Sequence, residues 1–284
     1  MTLTSEALKL FVIARITIRS RLRYLWDLVG STVFLAVVMF VFVRLWTVTY
    51  ESNASAAASS PSGGGAASGA ASLIAGFSLA QMIWYLVATE TIIMSMLPIH
   101  RHIEREIKDG DVAIRLNKPY SFLGYHWSVF IGEGLLKAVI LILVGGFVAL
   151  VSVGSIGFHI AAIPALIVTF IFTATLNFMY GALIGLMAFW TEDISGFYFI
   201  FDRMKWLLGG FLMPIAVFPD WLQQIAGWLP FSLMIYRPAR MAVEFDWAGW
   251  ADLSIRQLGL ILVMGFITQG VYRLGVRRLD VNGG

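Results

Sequence analysis

Long apolar stretches alternate with short polar segments along this chain. Six apolar stretches are long enough to cross a bilayer, because a transmembrane helix needs about 20 mostly apolar residues. They cover residues 28–48, 73–97, 125–153, 160–190, 194–213 and 253–274. The pattern predicts an all-α polytopic membrane protein, a single transmembrane domain over residues 1–284 with six transmembrane helices.

The segment 1–27, before the first span, has the pattern of an amphipathic helix. Its apolar face comprises Phe11, Ala14, Ile18, Leu22 and Leu25, and the flanking arginines are Arg15, Arg19 and Arg23. Such a helix lies in the membrane interface, with its arginines reaching lipid phosphates. The alternative is a plain charged lead-in to the first span. That span is longer than a signal-peptide core, so we expect an uncleaved anchor.

Two connecting segments differ in composition. Residues 50–72 are rich in Ser, Ala and Gly, which bury too little apolar surface to order a chain, so we expect a flexible external loop. Residues 214–252 are apolar but contain four prolines. Asp220 is placed to cap a short helix that Pro230 ends, and a second short helix is expected over 231–245. The pattern predicts short external helices, interfacial or re-entrant, with a seventh span as the alternative.

Composition and charge agree with a membrane protein. The chain is 59% hydrophobic and 13% charged, whereas soluble proteins are about 25% charged. Lys and Arg number five in 1–27, five in 98–120, two in 191–206 and three in 273–284, and none in 49–72 or 154–159. The positive-inside rule therefore predicts that both termini and the segment 98–120 are cytoplasmic. Without cysteine, the chain has no disulfide or thiolate metal site.

The most charge-dense segment is 98–120, which we call the polar loop. It contains signals for two short helices, with Gly110 as a natural helix stop and Asp111 as a cap for the second helix. In the first helix, Glu104 and Lys108 are spaced to form an i,i+4 ion pair. Taken alone, the segment is equally consistent with a solvated loop ordered by weak ion pairs.

The polar loop contains the motifs Glu-Arg-Glu-Ile at 104–107, Gly-Asp at 110–111 and Leu-x-Lys-Pro at 116–119. With these motifs it resembles the first cytoplasmic loop of permease subunits of ABC-2-type transporters, in particular a bacterial branch found with drug or peptide export and resistance systems. The segment 218–240 and the terminal RRLDVNGG are also similar to segments of that family. The resemblance therefore covers essentially the whole chain.

The resemblance implies the permease subunit of an ATP-driven exporter in the cytoplasmic (inner) membrane of a bacterium. Two permease subunits, identical or paralogous, would form the path in the lipid, and a separate ABC ATPase would hold ATP and Mg. The chain itself would bind no cofactor or nucleic acid. The polar loop would be the coupling helix, and 1–27 the interfacial connecting helix. The implied ATPase-coupling residues are Ile103, Glu104, Arg105, Glu106, Ile107, Gly110, Asp111, Arg115 and Pro119.

Polar side chains within the apolar stretches form a second group of candidates, because charges in a membrane are costly and often functional. The candidates for the translocation path or the subunit interface are Glu90, Glu133, Lys137, Asn177, Trp221 and Trp228. Glu133 and Lys137 can pair at i,i+4, and a purely structural pair is an equal alternative. Near the fifth span, Glu192, Asp193, Asp202 and Arg203 are either a second ATPase contact or plain loop charge.

Several function classes are excluded or weak. The chain has no Gly-x-x-x-x-Gly-Lys-Ser/Thr phosphate loop, so it is not the ATP-hydrolysing motor. His100 and His102 have no third ligand at a sensible spacing, so no metal site is expected. No hydrolase motif occurs, which leaves an intramembrane enzyme as a weak alternative and a non-transporting scaffold or sensor subunit as a stronger one. The shortage of polar residues in the spans suggests an amphipathic or lipid-like substrate.

Overall fold

The computed structural model describes residues 3–21, 25–58, 73–157 and 160–282, and in this part of the chain the fold is all-helical. The helices are α1 (Leu3–Arg21), α2 (Leu25–Ala58), α3 (Leu79–Ser95), α4 (Ile99–Lys108), α5 (Asp111–Leu116), α6 (Phe122–Val153), α7 (Ile163–Leu186), α8 (Ser195–Leu208), α9 (Asp220–Trp228), α10 (Phe231–Met234), α11 (Tyr236–Val243) and α12 (Trp247–Asn282). One isolated β-bridge joins Ile74 and Phe77.

In the described part of the chain, five helical stretches are long and apolar enough to cross a membrane. They are Val29–Ala56, Leu79–Lys108, Phe122–Val153, Ile160–Phe189 and Trp247–Arg278. The second contains a break at residues 96–98, so that α3 is its apolar part and α4 its charged end. The predicted span 194–213 contains only the 14-residue α8, about 21 Å long at 1.5 Å per residue. That is shorter than a hydrocarbon core of about 30 Å.

Two boundaries of the first loop differ from the prediction. Helix α2 continues to Ala58, so residues 50–58 are helical and the expectation of a flexible loop is wrong there. The remainder of that loop, 59–72, lies outside the described residues. The second span begins at Leu79 rather than at residue 73, because Ser78 and Gln81 form a capping box that fixes the start of α3. Alanine has the highest helix propensity, so an Ala-rich segment directly after an apolar helix can continue that helix.

Helix α1 packs along α6, and this contact changes the orientation predicted for its apolar face. A Cβ at Gly132 of α6 would lie 2.8 Å from the carbonyl oxygen of Ala14, so glycine permits the close approach. Ala14 and Ile18 are therefore half-buried against the bundle, whereas Phe11 is 65% exposed. The predicted common lipid-facing side is wrong for the first two; the side chains of Leu22 and Leu25 lie outside the description.

The stretch between α8 and α12 contains only short helices, as the four prolines predict. The longest, α9, has nine residues, so no helix in this stretch is a seventh span. Its irregular backbone packs against protein: the Tyr85 hydroxyl of α3 donates a hydrogen bond to the carbonyl oxygen of Gly210. Non-helical backbone at membrane depth needs such partners. The predicted helix over 231–245 is divided in two at Ile235.

Helix α12 is tied to α7 by side-chain hydrogen bonds. The indole Nε1 of Trp250 donates to the carbonyl oxygen of Ala165 and to Oγ1 of Thr169, both at 3.1 Å. About two turns further on, the buried Gln257 donates to Oγ1 of Thr173 at 3.0 Å. These bonds fix the register of the last span against α7.

A Gly-x-x-x-Gly pair on α7 receives the first helix of the polar loop. A Cβ at Gly181 would lie 2.5 Å from Cγ2 of Ile99, and a Cβ at Gly185 would lie 2.9 Å from the carbonyl oxygen of His100 and from Cβ of Ile103. Small residues one turn apart let two helices approach closely where lipid supplies no hydrophobic driving force. We call this α4–α7 contact the glycine seat.

The glycine seat predicts the cost of adding a side chain. Gly185→Val should destabilise the protein by about 1–3 kcal/mol, because the Cβ meets backbone atoms that cannot rotate away. Gly259→Val is the matched control, since nothing lies within 4 Å of a Cβ there. Thermal unfolding in detergent measures both. An equal loss of stability in the two variants would show that the seat is not tightly packed.

Candidate functional site

The polar loop is a pair of short helices with one buried side. Ile103 is fully buried, and Ile99, Ile107 and Val112 are nearly so. They pack into an apolar cluster with side chains of α6 and α7, among them Phe130. The predicted coupling residues Ile103 and Ile107 therefore anchor the loop and do not face outward.

Glu106 joins three helices. Its Oε1 accepts a hydrogen bond from Nη2 of Arg115 in α5 at 2.6 Å, and its Oε2 lies 3.2 Å from Nε2 of the buried His126 in α6. The Arg115 guanidinium also lies over the Tyr125 ring, 4.2 Å from its centroid. Glu106 and Arg115 thus hold the two helices of the loop together and onto the bundle.

Hydrogen bonding shifts the pKa of Arg115. Partial burial lowers the pKa of Arg115, but the hydrogen bonds to Glu106 and Tyr125 outweigh it, and the net effect raises the pKa. On the neighbouring turn, the pKa of Asp193 is lowered by hydrogen bonds from the backbone N–H and the hydroxyl of Ser195. In both groups, hydrogen bonding favours the charged form.

The outward side of the polar loop is mixed in charge and partly apolar. Its exposed residues include Arg105, Lys108, Asp109, Asp111, Ile114 and Leu116. Glu104 and Lys108 form the predicted ion pair at 2.7 Å. Ile114, on the six-residue helix α5, is 64% exposed and has charged neighbours. The polar loop therefore presents an outer surface of mixed charge that includes two exposed aliphatic side chains, Ile114 and Leu116.

The turn between the two loop helices is built by glycine. Gly110 has φ +77°, the left-handed conformation that glycine adopts without strain, as the predicted helix stop requires. The predicted cap at Asp111 is wrong: Asp111 is the first residue of α5, and the N-cap position is held by Gly110, which has no side chain to form a capping bond. The same one-residue shift occurs at Asp220, which begins α9 after Pro219.

The polar loop is also tied to α1. Nζ of Lys9 donates a hydrogen bond to the carbonyl oxygen of Pro119, 3.1 Å away. The amphipathic segment and the end of the polar loop, far apart in sequence, are therefore in contact.

The structure separates the predicted path residues. Glu133 is 3% exposed and forms ion pairs with Lys137 at 3.1 Å, as predicted, and with Arg21 at 2.8 Å, so this group joins α1 to α6. Glu90 is buried in α3, and Asn177 is buried in α7.

The two candidate tryptophans of α9 are exposed, unlike the buried Glu90, Glu133 and Asn177. Trp221 is 63% exposed and Trp228 is 92% exposed. Asp202, expected as loop charge or an ATPase contact, is 8% exposed within α8, so that expectation is wrong for it.

The two histidines of the first loop helix face different surroundings. His100 is buried and stacks on Tyr198, with ring centroids 3.7 Å apart, whereas His102 is exposed. Among the residues that the structure describes, no group of three His, Asp or Glu side chains could hold a metal ion.

Comparison with known families decides the class of this bundle. The family model described as ABC-2 family transporter protein matches residues 69–283, about three quarters of the chain. The chain belongs to the ABC-2 transporter family. It is a multi-pass membrane protein and a permease of that family, whose members are membrane subunits of transporters and not themselves catalytic. No curated protein matches the chain significantly.

Two contacts that hold the polar loop of this permease against the bundle escaped the sequence reasoning. The Gly181–Gly185 spacing is visible in the sequence as a Gly-x-x-x-Gly motif in an apolar stretch, and it signals a helix contact. His126 has no comparable signal, because its partner Glu106 lies 20 residues away on another helix.

The Glu106 bridge predicts unequal effects of two neighbouring glutamates. Glu106→Ala should destabilise the polar loop by about 1–3 kcal/mol, because it leaves Arg115 and His126 without their common partner. Glu104→Ala removes only a surface pair and should cost at most about 1 kcal/mol. Amide hydrogen exchange of residues 111–116 measures both effects. Equal protection in the two variants would contradict the bridge.

Proposed function

We propose that this permease is the membrane half of an ATP-driven ABC-2-type exporter. Two copies, or this chain and a paralogue, form the translocation path, and a separate ABC ATPase binds and hydrolyses ATP with Mg. The observation that carries the proposal is the polar loop, which presents a mixed-charge outer surface from a rigid mount. Family membership supports an ATPase partner in general.

An ATPase can move a membrane domain only through a rigid element that is attached to it. The polar loop meets this requirement at two points. The glycine seat holds α4 against α7, and the Glu106 bridge holds α5 against α4 and α6. A force on the outer surface is therefore transmitted to both spans, and this supports its role as the coupling helix.

The outer surface, and not the whole predicted set, is the proposed ATPase contact. Glu104, Arg105, Gly110, Asp111 and Pro119 are exposed or partly exposed and remain candidates for direct contact. Ile103, Ile107, Glu106 and Arg115 would act by positioning that surface, because each is engaged inside the loop.

The proposed topology has six spans in a bacterial inner membrane, with both termini and the polar loop cytoplasmic. Helix α8 and the irregular residues 209–213 that follow it would together form the fifth span. The basic residues of the two termini and the polar loop support this orientation. Helices α9–α11 would then form the short external, re-entrant region.

The proposed substrate is amphipathic. The spans contain few polar side chains, and this composition suits an apolar chain better than a sugar. Stimulation of ATPase activity by amphiphiles is the expected result, whereas stimulation by small hydrophilic sugars alone would contradict it. A non-transporting scaffold or sensor subunit remains the second candidate, because a permease without its motor has the same fold.

The first experiment is purification of the tagged chain from its native membrane in mild detergent, with mass spectrometry of what accompanies it. The transporter proposal requires an ABC ATPase in stoichiometric amount. A second permease band would identify a hetero-pair. Isolation of the chain alone in several detergents would favour the scaffold or sensor function.

The polar loop predicts which charges the ATPase needs. The double variant Arg105→Glu with Asp111→Arg keeps the net charge but reverses two exposed side chains, and it should reduce co-purified ATPase about tenfold, since like charges facing each other across an interface are costly. The control is Asp252→Arg with Arg256→Glu, an exposed pair on α12 with Nε and Oδ2 2.8 Å apart. Undiminished ATPase in the first variant would remove the polar loop from the contact.

A further inference from the structure

A cleft opens where the apolar part of the second span ends and the polar loop begins. It lies between α3, α4, α7 and α8 and has a volume of about 130 Å³. The polar side chains that line it are His100, Asn177, Tyr180, Tyr198, Asp202 and Lys205. Its position at the end of the spans and its polar lining set it apart from the apolar surface around it.

The cleft contains a buried ion pair. Nζ of Lys205 lies 3.0 Å from Oδ1 of Asp202, one turn earlier in α8, and the side chains are 15% and 11% exposed. The free energy of removing two charges from water often exceeds the free energy of their attraction, so a buried ion pair is weak evidence for a stabilising role. An apolar pair of similar size would fill the same space. The pair therefore calls for a function.

One further polar atom in the cleft lacks a partner. His100 is 4% exposed, and its Nε2 makes no hydrogen bond with any residue that the structure describes. Its ring is held in place by stacking on Tyr198. A buried polar group left unpaired is costly and points to a ligand. A fixed hydrogen-bonding nitrogen thus lies beside a fixed pair of opposite charges.

We propose that this cleft binds the zwitterionic head group of an amphiphile, with its anionic part at Lys205 and its cationic part at Asp202. The proposal deepens the transporter function proposed above and rests on it. A head group with a single charge would pair with only one of the two side chains and would leave the other without an opposite charge. A zwitterion replaces the internal ion pair with two, and the His100 nitrogen adds a hydrogen bond to its polar atoms.

The cleft would hold the charged groups of a head group, and the attached chain would leave it. A cavity of about 150 Å³ holds a benzene ring, so 130 Å³ leaves room for the polar groups that face Lys205 and Asp202 but not for a whole amphiphile. The apolar part of the wall is formed by Ile93, Met96, Ile184 and Trp206. An alkyl chain attached to the head group would continue along these side chains towards the apolar surface of the spans.

The test measures binding by the purified chain, without an ATPase, in uncharged maltoside micelles. Three photoreactive probes share one alkyl chain and differ in the head group: phosphocholine, sulfate and trimethylammonium. Mass spectrometry then locates the labelled peptides. The phosphocholine probe should label α4 and α8 about tenfold more than either singly charged probe, because each of those lacks one of the two ion pairs, and a tenfold ratio corresponds to about 1.4 kcal/mol. Labelling that ignores the head group overturns the proposal.

Variants of the ion pair should invert this preference. Asp202→Asn should favour the sulfate probe, and Lys205→Met should favour the trimethylammonium probe. Asp252→Asn, on the exposed pair of α12, is the matched control and should keep the phosphocholine preference. Unchanged preference in the two cleft variants overturns the proposal, because a merely structural ion pair would not set selectivity.

A further variant covers the case in which single substitutions fail to fold. The double variant Asp202→Lys with Lys205→Asp keeps the ion pair and should therefore keep the preference for phosphocholine. Loss of that preference in the double variant would count against the proposed site. Because binding needs no ATPase, the two proposals fail separately. Normal binding with no ATPase partner would overturn the transporter function alone, whereas an intact transporter without head-group preference would overturn the cleft site alone.

Discussion

The close approach of α4 to α7 at Gly181 and Gly185 is the contact on which the polar loop depends. In a bilayer, helices gain little by hiding apolar surface from each other, so they associate through tight packing. Two glycines one turn apart let Ile99 and Ile103 lie against the α7 backbone. A charged helix can then sit at the end of the apolar bundle without being free to swing, and the remaining contacts of the loop are built on this one.

The glycine seat and the cleft share two helices. Helix α7 supplies Gly185 to the seat and Asn177 to the cleft, and α4 supplies Ile103 to the seat and His100 to the cleft. A displacement of the polar loop therefore cannot leave the cleft unchanged, because one wall of the cleft is the loop helix itself. Under the proposed function, this shared wall is the shortest physical route from an ATPase to a bound head group.

Local patterns predicted the coarse structure well. Apolar runs marked the long helices, prolines marked the short helices before α12, and spacing marked the Glu104–Lys108 and Glu133–Lys137 pairs. The errors have local causes too. Helix caps shift by one residue when glycine or proline takes the cap position, as before Asp111. Helix α2 runs on into alanine and serine that composition assigned to a loop.

What sequence reasoning could not supply was the third partner of each charge pair, and that partner decides the role of the pair. Glu133 and Lys137 lie one turn apart on one helix, and Arg21 of α1 adds a second cation 2.8 Å from Glu133, so the carboxylate is paired with two charges of the protein itself. Asp202 and Lys205 also lie about one turn apart on one helix, yet they face a cleft in which the His100 Nε2 has no hydrogen-bond partner among the described residues. One arrangement is thus an anchor between helices, and the other presents its charges to whatever enters the cleft.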